Sequence, residues 1–368
     1  LNLISKKLMI IKTYQQYLIK SLLKYIFLIS GIFLILAFLL NIIEEIRFFK
    51  NLDLGISYSF FLTFLNVPSI VYEIFPFIFL ISTQMFFVNL FEKEELIVLK
   101  KHGLDNLVLI KILIITSLVC GILIVSLFYT LSAQMKHSYL TFKNKFTNDN
   151  KYLAVVNENG LWIKDEVDNS INIINAEIFE NDTLKKIIIT QMDKDFNIVK
   201  TIIGKSANIQ KNTWKIKNVE VHETEKSKVN HDHILFKTNF NKEKLNNIFS
   251  NLTSLTFFEL LSMSKDYNQL GYSTLEINSH LHKLYSFPIY LMIMSLVGGI
   301  LMLNIKYNKS KIVNITIGII LSVFVYYLNY FINLLGTNEK IPTILSIWLP
   351  HLILFLFCLT FLIRINEN

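Results

Sequence analysis

Six long apolar segments lie towards the two ends of the chain, and none of them contains Asp, Glu, Lys or Arg. They are Tyr25–Ile43, Ile74–Phe91 and the segments between Lys111 and Lys136, Lys283 and Lys306, Lys311 and Glu339, and Lys340 and Arg364. A helix needs about 20 apolar residues to cross a hydrocarbon layer of about 30 Å. The pattern therefore predicts six transmembrane helices, three on each side of a long central segment.

The central segment, residues 136–283, contains short runs in which apolar and polar residues alternate. Such runs are typical of β-strands. They are Leu161–Ile163, Ile171–Ile174, Lys186–Gln191, Ile198–Ile203, Thr213–Val221 and Ile234–Phe236. In the run Thr213–Val221 the alternation is nearly complete. Several short strands at this spacing predict a β-sandwich or a jelly roll.

A helix is predicted after the last strand. Thr256 and Glu259 have the spacing of a capping box, in which the two side chains satisfy amide groups at a helix start. We expect this helix to continue to about Gln269.

Composition supports a membrane protein. The chain has 368 residues, of which 52% are hydrophobic and 17% charged, whereas soluble domains carry about 25% charged residues. Both cysteines, Cys120 and Cys358, lie in apolar segments, so no disulfide framework is expected.

Basic residues predict the orientation of the helices. One side of the membrane would hold Lys6, Lys7, Lys12, Lys20, Lys24, Lys93, Lys100, Lys101, Lys111, Lys306, Lys309, Lys311 and Arg364. The short loops on the other side hold Arg47, Lys50 and Lys340. The positive-inside rule places the first side, with both termini, in the cytoplasm. The net charge of +8 is thereby explained by topology, and nucleic acid is not expected as a partner.

The predicted fold is an α-helical integral membrane protein with six transmembrane helices and an inserted periplasmic all-β, jellyroll-like domain. Residues 1–135 form the N-terminal transmembrane part, with a cytoplasmic helix at about 92–103. Residues 136–283 form the periplasmic domain with a terminal helix, and residues 284–368 form the C-terminal transmembrane part.

The sequence does not contain the residues that an enzyme or motor would need. Gly204-Lys205-Ser206 resembles the end of a nucleotide-binding P-loop, but Val199 occupies the position of its first glycine. His231 and His233, with His222 nearby, could bind a metal, but a polar hairpin loop is the simpler explanation and the one we favour. We expect no catalytic residues, no metal and no cofactor.

Two short segments suggest function. In the cytoplasmic segment Phe91–Asp105, Leu96, Val98 and Leu99 form an apolar stripe beside charged residues, and Gly103 would end the helix. This helix is either a connector or a ligand for a groove on a cytoplasmic partner.

The second segment follows the first span and contains Glu44, Glu45, Arg47 and Lys50. These residues form either a belt that reaches the membrane interface or a site for an anionic lipid headgroup.

The order of these parts resembles the lipopolysaccharide export permeases, the LptF/LptG family, over nearly the whole chain. The most specific match is Pro76, the second span and the segment Glu95–Gly103, although Glu94 occupies a position where the family usually has Ser. Gly160-Leu161-Trp162-Ile163-Lys164-Asp165 resembles the start of the periplasmic domain in the LptG branch, which favours that branch over LptF. Asn41 and Asn329 depart from charged positions of the family.

The resemblance implies a function. The chain would pair with an LptF-like permease in the bacterial inner membrane, bind a dimer of the ATPase LptB, and pass lipopolysaccharide to LptC and LptA. Glu95, Leu96, Leu99 and Gly103 would couple the chain to LptB. The lateral gate would contain Arg47, Lys50, Tyr326, Tyr327, Tyr330 and Phe331. The alternatives are the paralogous LptF subunit and a membrane anchor that displays a protein-binding β domain.

Overall fold

A computed structural model describes residues 12–50, 55–144, 146, 161–167, 170–180, 183–193, 197–223, 228–240, 251–269, 274–304, 311–338 and 340–367. The chain divides into two compact units. The membrane unit comprises residues 1–139 and 275–368, and the inserted unit comprises residues 140–274. Gly160, the first residue of the segment that resembles the LptG branch, lies outside the described residues.

Among the described residues, the membrane unit contains six helices that are long and apolar enough to cross a membrane, which confirms the predicted number. Its elements are α1 (Thr13–Phe49), α2 (Ile56–Glu92), α3 (Glu95–Lys101), α4 (Asn106–Leu123), a π-helical segment (Ile124–Tyr129), α5 (Thr130–Asn144), α7 (Leu275–Leu303), α8 (Lys311–Thr337) and α9 (Thr343–Glu367). The third span is continuous from α4 through the π-helical segment into α5. The short helix α3 connects α2 to α4.

Several helices extend beyond the apolar segments that predict them. Helix α2 begins at Ile56 rather than Ile74, because Glu73 interrupts the apolar run without ending the helix. Helix α7 begins at Leu275, well before Lys283. The two units therefore meet in sequence at 139/140 and 274/275, whereas charge alone suggested residues 136 and 283.

Helices α2 and α7 lie at the centre of the membrane unit, where small residues allow close packing. An added Cβ at Gly298 of α7 would lie 2.9 Å from the carbonyl oxygen of Leu80 in α2. Ser117 of α4 donates a hydrogen bond of 2.7 Å to Ser295 of α7. Such contacts are typical of helices packed in lipid. In the most apolar part of each span, 61% of residues are buried in α2 and α7, but only 22% in α1 and 17% in α8.

The described part of the inserted unit contains one antiparallel sheet of six strands. They are β1 (Leu161–Val167), β2 (Ser170–Glu180), β3 (Thr183–Met192), β4 (Ile198–Asn208), β5 (Thr213–Glu223) and β6 (Val229–Lys237). Each of the six predicted runs lies in one of these strands. The strands pair in consecutive order, β1-β2-β3-β4-β5-β6. Among the described strands this is an up-and-down meander, without the crossovers between non-neighbouring strands that a jelly roll contains.

At one position along the strands, the alternation of buried and exposed residues shifts by one residue. We call this line across the sheet the crease. In β5, Ile216 and Val219 are both buried, and two exposed residues separate them. Lys186 in β3 and Asn218 in β5 have left-handed backbones, with φ of 52° and 50°. The registers place Lys186, Lys205 and Asn218 side by side across the sheet. The incomplete alternation of Thr213–Val221 in the sequence is therefore the signature of this crease.

A segment that follows β6 returns to β1 and closes the inserted unit. Asp165 of β1 is fully buried and accepts hydrogen bonds from the Thr238 hydroxyl, the Asn239 backbone amide and the Asn239 side-chain amide. Trp214 donates its indole N–H to the carbonyl oxygen of Phe240 at 2.9 Å. The two ends of the strand order are thus joined by a buried carboxylate.

The predicted helix after the sheet is α6 (Phe257–Gln269). Glu259 accepts a hydrogen bond of 2.7 Å from the backbone amide of Thr256, as a capping box requires. The Thr256 hydroxyl donates to the same carboxylate oxygen at 2.8 Å.

Candidate lipid-transport site and coupling helix

Helix α3 has a defined start and a defined end. Before its first residue, Glu94 adopts a left-handed backbone with φ of 59°, which is uncommon for a residue other than glycine. After its last turn, Gly103 has φ of 84°. The amide of Gly103 donates to Lys100 O, and the amide of Leu104 donates to Leu99 O, both at 3.0 Å. This is the Schellman arrangement, so Gly103 ends the helix as the sequence predicts.

The apolar residues of α3 face in two directions. Leu96 is only 5% exposed and belongs to the same apolar cluster as Leu18 and Leu22 of α1, and Leu99 packs against that cluster. Val98 is 52% exposed. Leu96 and Leu99 therefore hold α3 on helices of its own chain. Val98, Lys100 and Lys101 of α3 are exposed, as are the flanking residues Glu94 and His102.

Glu95 already has a partner within the chain. The hydroxyl of Tyr17, in the second turn of α1, donates a hydrogen bond of 2.7 Å to Glu95 Oε2. This contact joins the short helix α3 directly to the first transmembrane helix. Sequence spacing gave no sign of it, because the two residues are 78 positions apart.

The aromatic residues predicted for the lateral gate lie on the exposed side of α8. Tyr326 is 54% exposed, and Tyr327, Tyr330 and Phe331 are exposed to a similar extent. The rings of Tyr326 and Tyr327 contact each other edge to face, with centroids 5.6 Å apart. Asn329 is half-buried on the same helix. These side chains project away from the membrane unit, where lipid or a second membrane protein can contact them.

Arg47 and Lys50 are exposed at the C-terminal end of α1. Among the described residues, no hydrogen bond, ion pair or ring contact joins them to the aromatic residues of α8. The two halves of the predicted gate thus lie on separate helices, α1 and α8, which are among the most exposed of the unit. Asn41, on α1, is buried.

A buried polar network lies near the predicted gate residues of α1, and sequence analysis missed it. Glu45 is fully buried and accepts a hydrogen bond of 2.8 Å from the Tyr139 hydroxyl. Lys136 donates a hydrogen bond of 2.5 Å to Asn66 and lies over the ring of Tyr139. Glu73 of α2 interacts electrostatically with Lys136.

The charged residues of this network served as boundaries of the predicted spans. Glu73 and Lys136 interrupt apolar runs, so the pattern places both at membrane surfaces. In the structure they lie within the helices of the membrane unit. Ionisable residues inside membrane helices are energetically costly and are usually functional. The position of Glu73 and Lys136 directly beside predicted spans was the signal that could have revealed this network.

The three histidines that were candidate metal ligands lie on the surface of the inserted unit. His231 and His233 are exposed on β6, and His222 lies at the end of β5. Among the described residues, no group of three His, Cys, Asp or Glu side chains is placed to hold a metal ion. On the same surface, Lys228 donates a hydrogen bond of 2.7 Å to Glu220 and lowers the pKa of that carboxyl group. Gly204-Lys205-Ser206 lies within β4 and pairs with its neighbouring strands.

Comparison with known proteins identifies the family. No curated protein matches the chain at a significant level. The profile of the family described as lipopolysaccharide export system permease LptF/LptG matches residues 16–364. The match covers the whole inserted unit and all six membrane spans except the first three residues of α1. With an inserted β unit between two sets of three membrane helices, and a family match over nearly its full length, this chain belongs to the LptF/LptG family of lipopolysaccharide export permeases.

Proposed function

We propose that the chain is the LptG-type subunit of a transporter that extracts lipopolysaccharide from the bacterial inner membrane. The observation that carries this proposal is the exposure of α1 and α8. Both helices lie at the edge of the membrane unit and present large apolar side chains, including Phe27 at 84% and Tyr327 at 63% exposure. A pair of such permeases, this chain with an LptF-like partner, would enclose an apolar cavity between α1 of one subunit and α8 of the other.

An enclosed cavity suits the chemistry of lipopolysaccharide. Burial of each acyl CH₂ group contributes about 0.8 kcal/mol, so several acyl chains cannot leave the membrane without a sheltered path. Tyr326, Tyr327, Tyr330 and Phe331 would contact the acyl chains. Arg47 and Lys50 would bind anionic groups of the lipid at the membrane surface.

Energy for extraction would come from a separate LptB dimer in the cytoplasm. The family consists of permease components rather than enzymes. Helix α3 is suited to coupling because it is fixed to the membrane unit through Leu96 and presents Val98 and charged residues outward. Glu95 would receive a donor from LptB, since charge-assisted hydrogen bonds are strong and directional.

The inserted unit would lie in the periplasm and pass the lipid to LptC and LptA. Strands β1 and β6 are the two edges of the sheet. Trp162 on β1 and Leu235 on β6 are each at least 60% exposed. Exposed edge strands are suited to adding a strand from another β protein.

Purification of the tagged chain in detergent tests the proposal. We expect an LptB-like ATPase, a second permease and lipopolysaccharide to copurify with it. If the chain were a membrane anchor, a protein bound to its β domain would copurify with it, but an ATPase would not. Recovery of the intact, folded chain without an ATPase or a second permease would overturn the transport proposal.

Glu95→Lys tests the role of α3. Loss of a charged hydrogen-bond acceptor costs about 1–3 kcal/mol, so recovery of LptB or lipid released per ATP should fall at least about fivefold. Glu92→Lys, on the exposed end of α2, is the matched control and should behave as the wild type. If LptB recovery and lipid release in Glu95→Lys both equal the wild-type values, α3 does not couple the two proteins.

A further inference from the structure

Helix α1 is tied to its neighbours near both ends by the same kind of hydrogen bond. Near the N-terminal end, Tyr17 donates to Glu95 of α3 at 2.7 Å. Near the C-terminal end, Glu45 accepts from Tyr139 of α5 at 2.8 Å. At 1.5 Å per residue, Tyr17 and Glu45 are separated by about 42 Å along the helix. The two ties therefore lie further apart than the thickness of a hydrocarbon layer.

Between these ties, α1 is an exposed helix with one packed side. Ile26 and Ile29 are buried in the core of the membrane unit, whereas Phe27, Ile35 and Leu40 are all at least 60% exposed. Helix α1 has no proline, so this usual cause of a sharp kink is missing from it. A displacement at one end can therefore pass along the helix to the other end.

The carboxylate of Glu95 can serve two partners at once. A carboxylate has two oxygen atoms and about four acceptor positions. Tyr17 uses Oε2, so a donor from another protein can bind the same side chain without displacing Tyr17. Glu95 can thus contact α1 and a protein bound to α3 at the same time.

We propose that Tyr17 and Tyr139 are positioning residues for transport: Tyr17 transfers movement of α3 to α1, and Tyr139 transfers movement of α1 to α5. The inference rests on the proposed function and extends it from the docking of an ATPase to the path of the movement inside the permease. Helix α5 leads towards the inserted unit in sequence, so the path begins at the coupling helix and reaches the segment that precedes the sheet.

Tyr17 can be tested separately from folding and from docking. Its side chain is 44% exposed, and an exposed hydrogen bond contributes little to stability. Leu96 remains buried in Tyr17→Phe, so α3 keeps its place, and Glu95 remains available to LptB. The substitution therefore removes the tie between α3 and α1 and leaves the docking surface unchanged.

The experiment measures LptB recovered per permease, the ATPase rate and lipid released per ATP in the purified full transporter. In Tyr17→Phe we expect normal LptB recovery and a loss of about three- to tenfold in lipid released per ATP. Tyr14→Phe is the matched control, because Tyr14 lies one turn earlier on α1 and has no side-chain hydrogen bond among those described. Tyr139→Phe should also reduce lipid release per ATP.

A distance measurement separates a role in movement from a role in stability. Spin labels at Ile43→Cys and Val323→Cys, both exposed positions, report the position of the C-terminal end of α1 against α8 after Cys120 and Cys358 are replaced by Ala. We expect the distance to change between nucleotide states in the wild type and to change less in Tyr17→Phe.

Unchanged coupling and an unchanged distance response in Tyr17→Phe, with an active wild type, would overturn this inference alone. A wild type that neither binds LptB nor releases lipid would instead overturn the proposed function.

Discussion

The membrane unit and the inserted unit each contain a fully buried carboxylate that joins distant parts of the chain. In the membrane unit, Glu45 accepts a hydrogen bond from Tyr139, 94 positions away. In the inserted unit, Asp165 accepts three hydrogen bonds from Thr238 and Asn239, at least 73 positions away. The two sites use the same chemistry, but their surroundings differ.

The difference lies in what else holds each unit together. Helices of the membrane unit also contact one another through small residues and apolar side chains, as at Gly298 and Leu80. The described strands of the inserted unit pair only with strands adjacent in sequence, so the contact between Asp165 and the segment after β6 joins the ends of the series. A buried carboxylate is thus one contact among many in the helices, whereas in the sheet it joins the two ends of the series beside an apolar cluster that includes Leu161 and Phe240.

Replacement of Asp165 should have the largest effect. Asp165→Ala leaves the buried Thr238 hydroxyl and two part-buried donors of Asn239 without their acceptor, and we expect it to lower the stability of the inserted unit by about 3 kcal/mol or more. Limited proteolysis in detergent should then cleave within residues 140–274, while the six spans stay protected. Asp232→Ala, an exposed residue of β6, is the control. Equal protease resistance in Asp165→Ala would show that the sheet stays closed without this contact.

Replacement of Glu45 should have a smaller effect. Glu45→Ala removes one hydrogen bond to Tyr139, and we expect a loss of about 1–3 kcal/mol, measured as a lower thermal midpoint in detergent. Glu45→Gln keeps an acceptor and should restore most of the stability. Glu44→Ala changes an exposed neighbour and serves as the reference. A loss in Glu44→Ala as large as that in Glu45→Ala would contradict the assignment.

A substitution at the crease of the sheet should change the stability of the inserted unit least, and should raise it rather than lower it. Lys186 has φ of 52°, a conformation that costs residues other than glycine about 1 kcal/mol. Lys186→Gly should therefore stabilise the inserted unit by up to about 1 kcal/mol, seen as slower proteolysis. Lys185, at the preceding position, has no positive φ to relieve. Lys185→Gly should therefore destabilise the strand. Stabilisation by both substitutions would argue against strain at the crease.

Patterns of apolar residues predict elements well but not the contacts between them. The six spans and all six strands follow from runs of apolar residues, because burial in lipid or in a sheet sets the period of the sequence. The same patterns predict the end of α3 at Gly103, since a left-handed residue there is a local requirement. The consecutive strand order was not predicted, because short strands of this kind are compatible with several topologies.

The candidate site was predicted only in part, for a physical reason. The exposed aromatic residues of α8 lie on one helix, so their shared face follows from spacing. Leu96 was expected to face a partner but is buried against its own chain. The pairs Tyr17–Glu95 and Tyr139–Glu45 form between helices, and spacing along one helix carries no information about them.

The contact between Asp165 and Asn239 also determines when the inserted unit can complete its folding during synthesis. The two residues are 74 positions apart, and a ribosome adds about 5–20 residues per second. The first strand therefore exists for about 4–15 s before its closing partner is made. During this interval the Asp165 carboxylate lacks these donors and stays hydrated, because burial of an unpaired carboxylate is costly. Synthesis of Thr238 and Asn239 supplies the donors, so the carboxylate can then be buried.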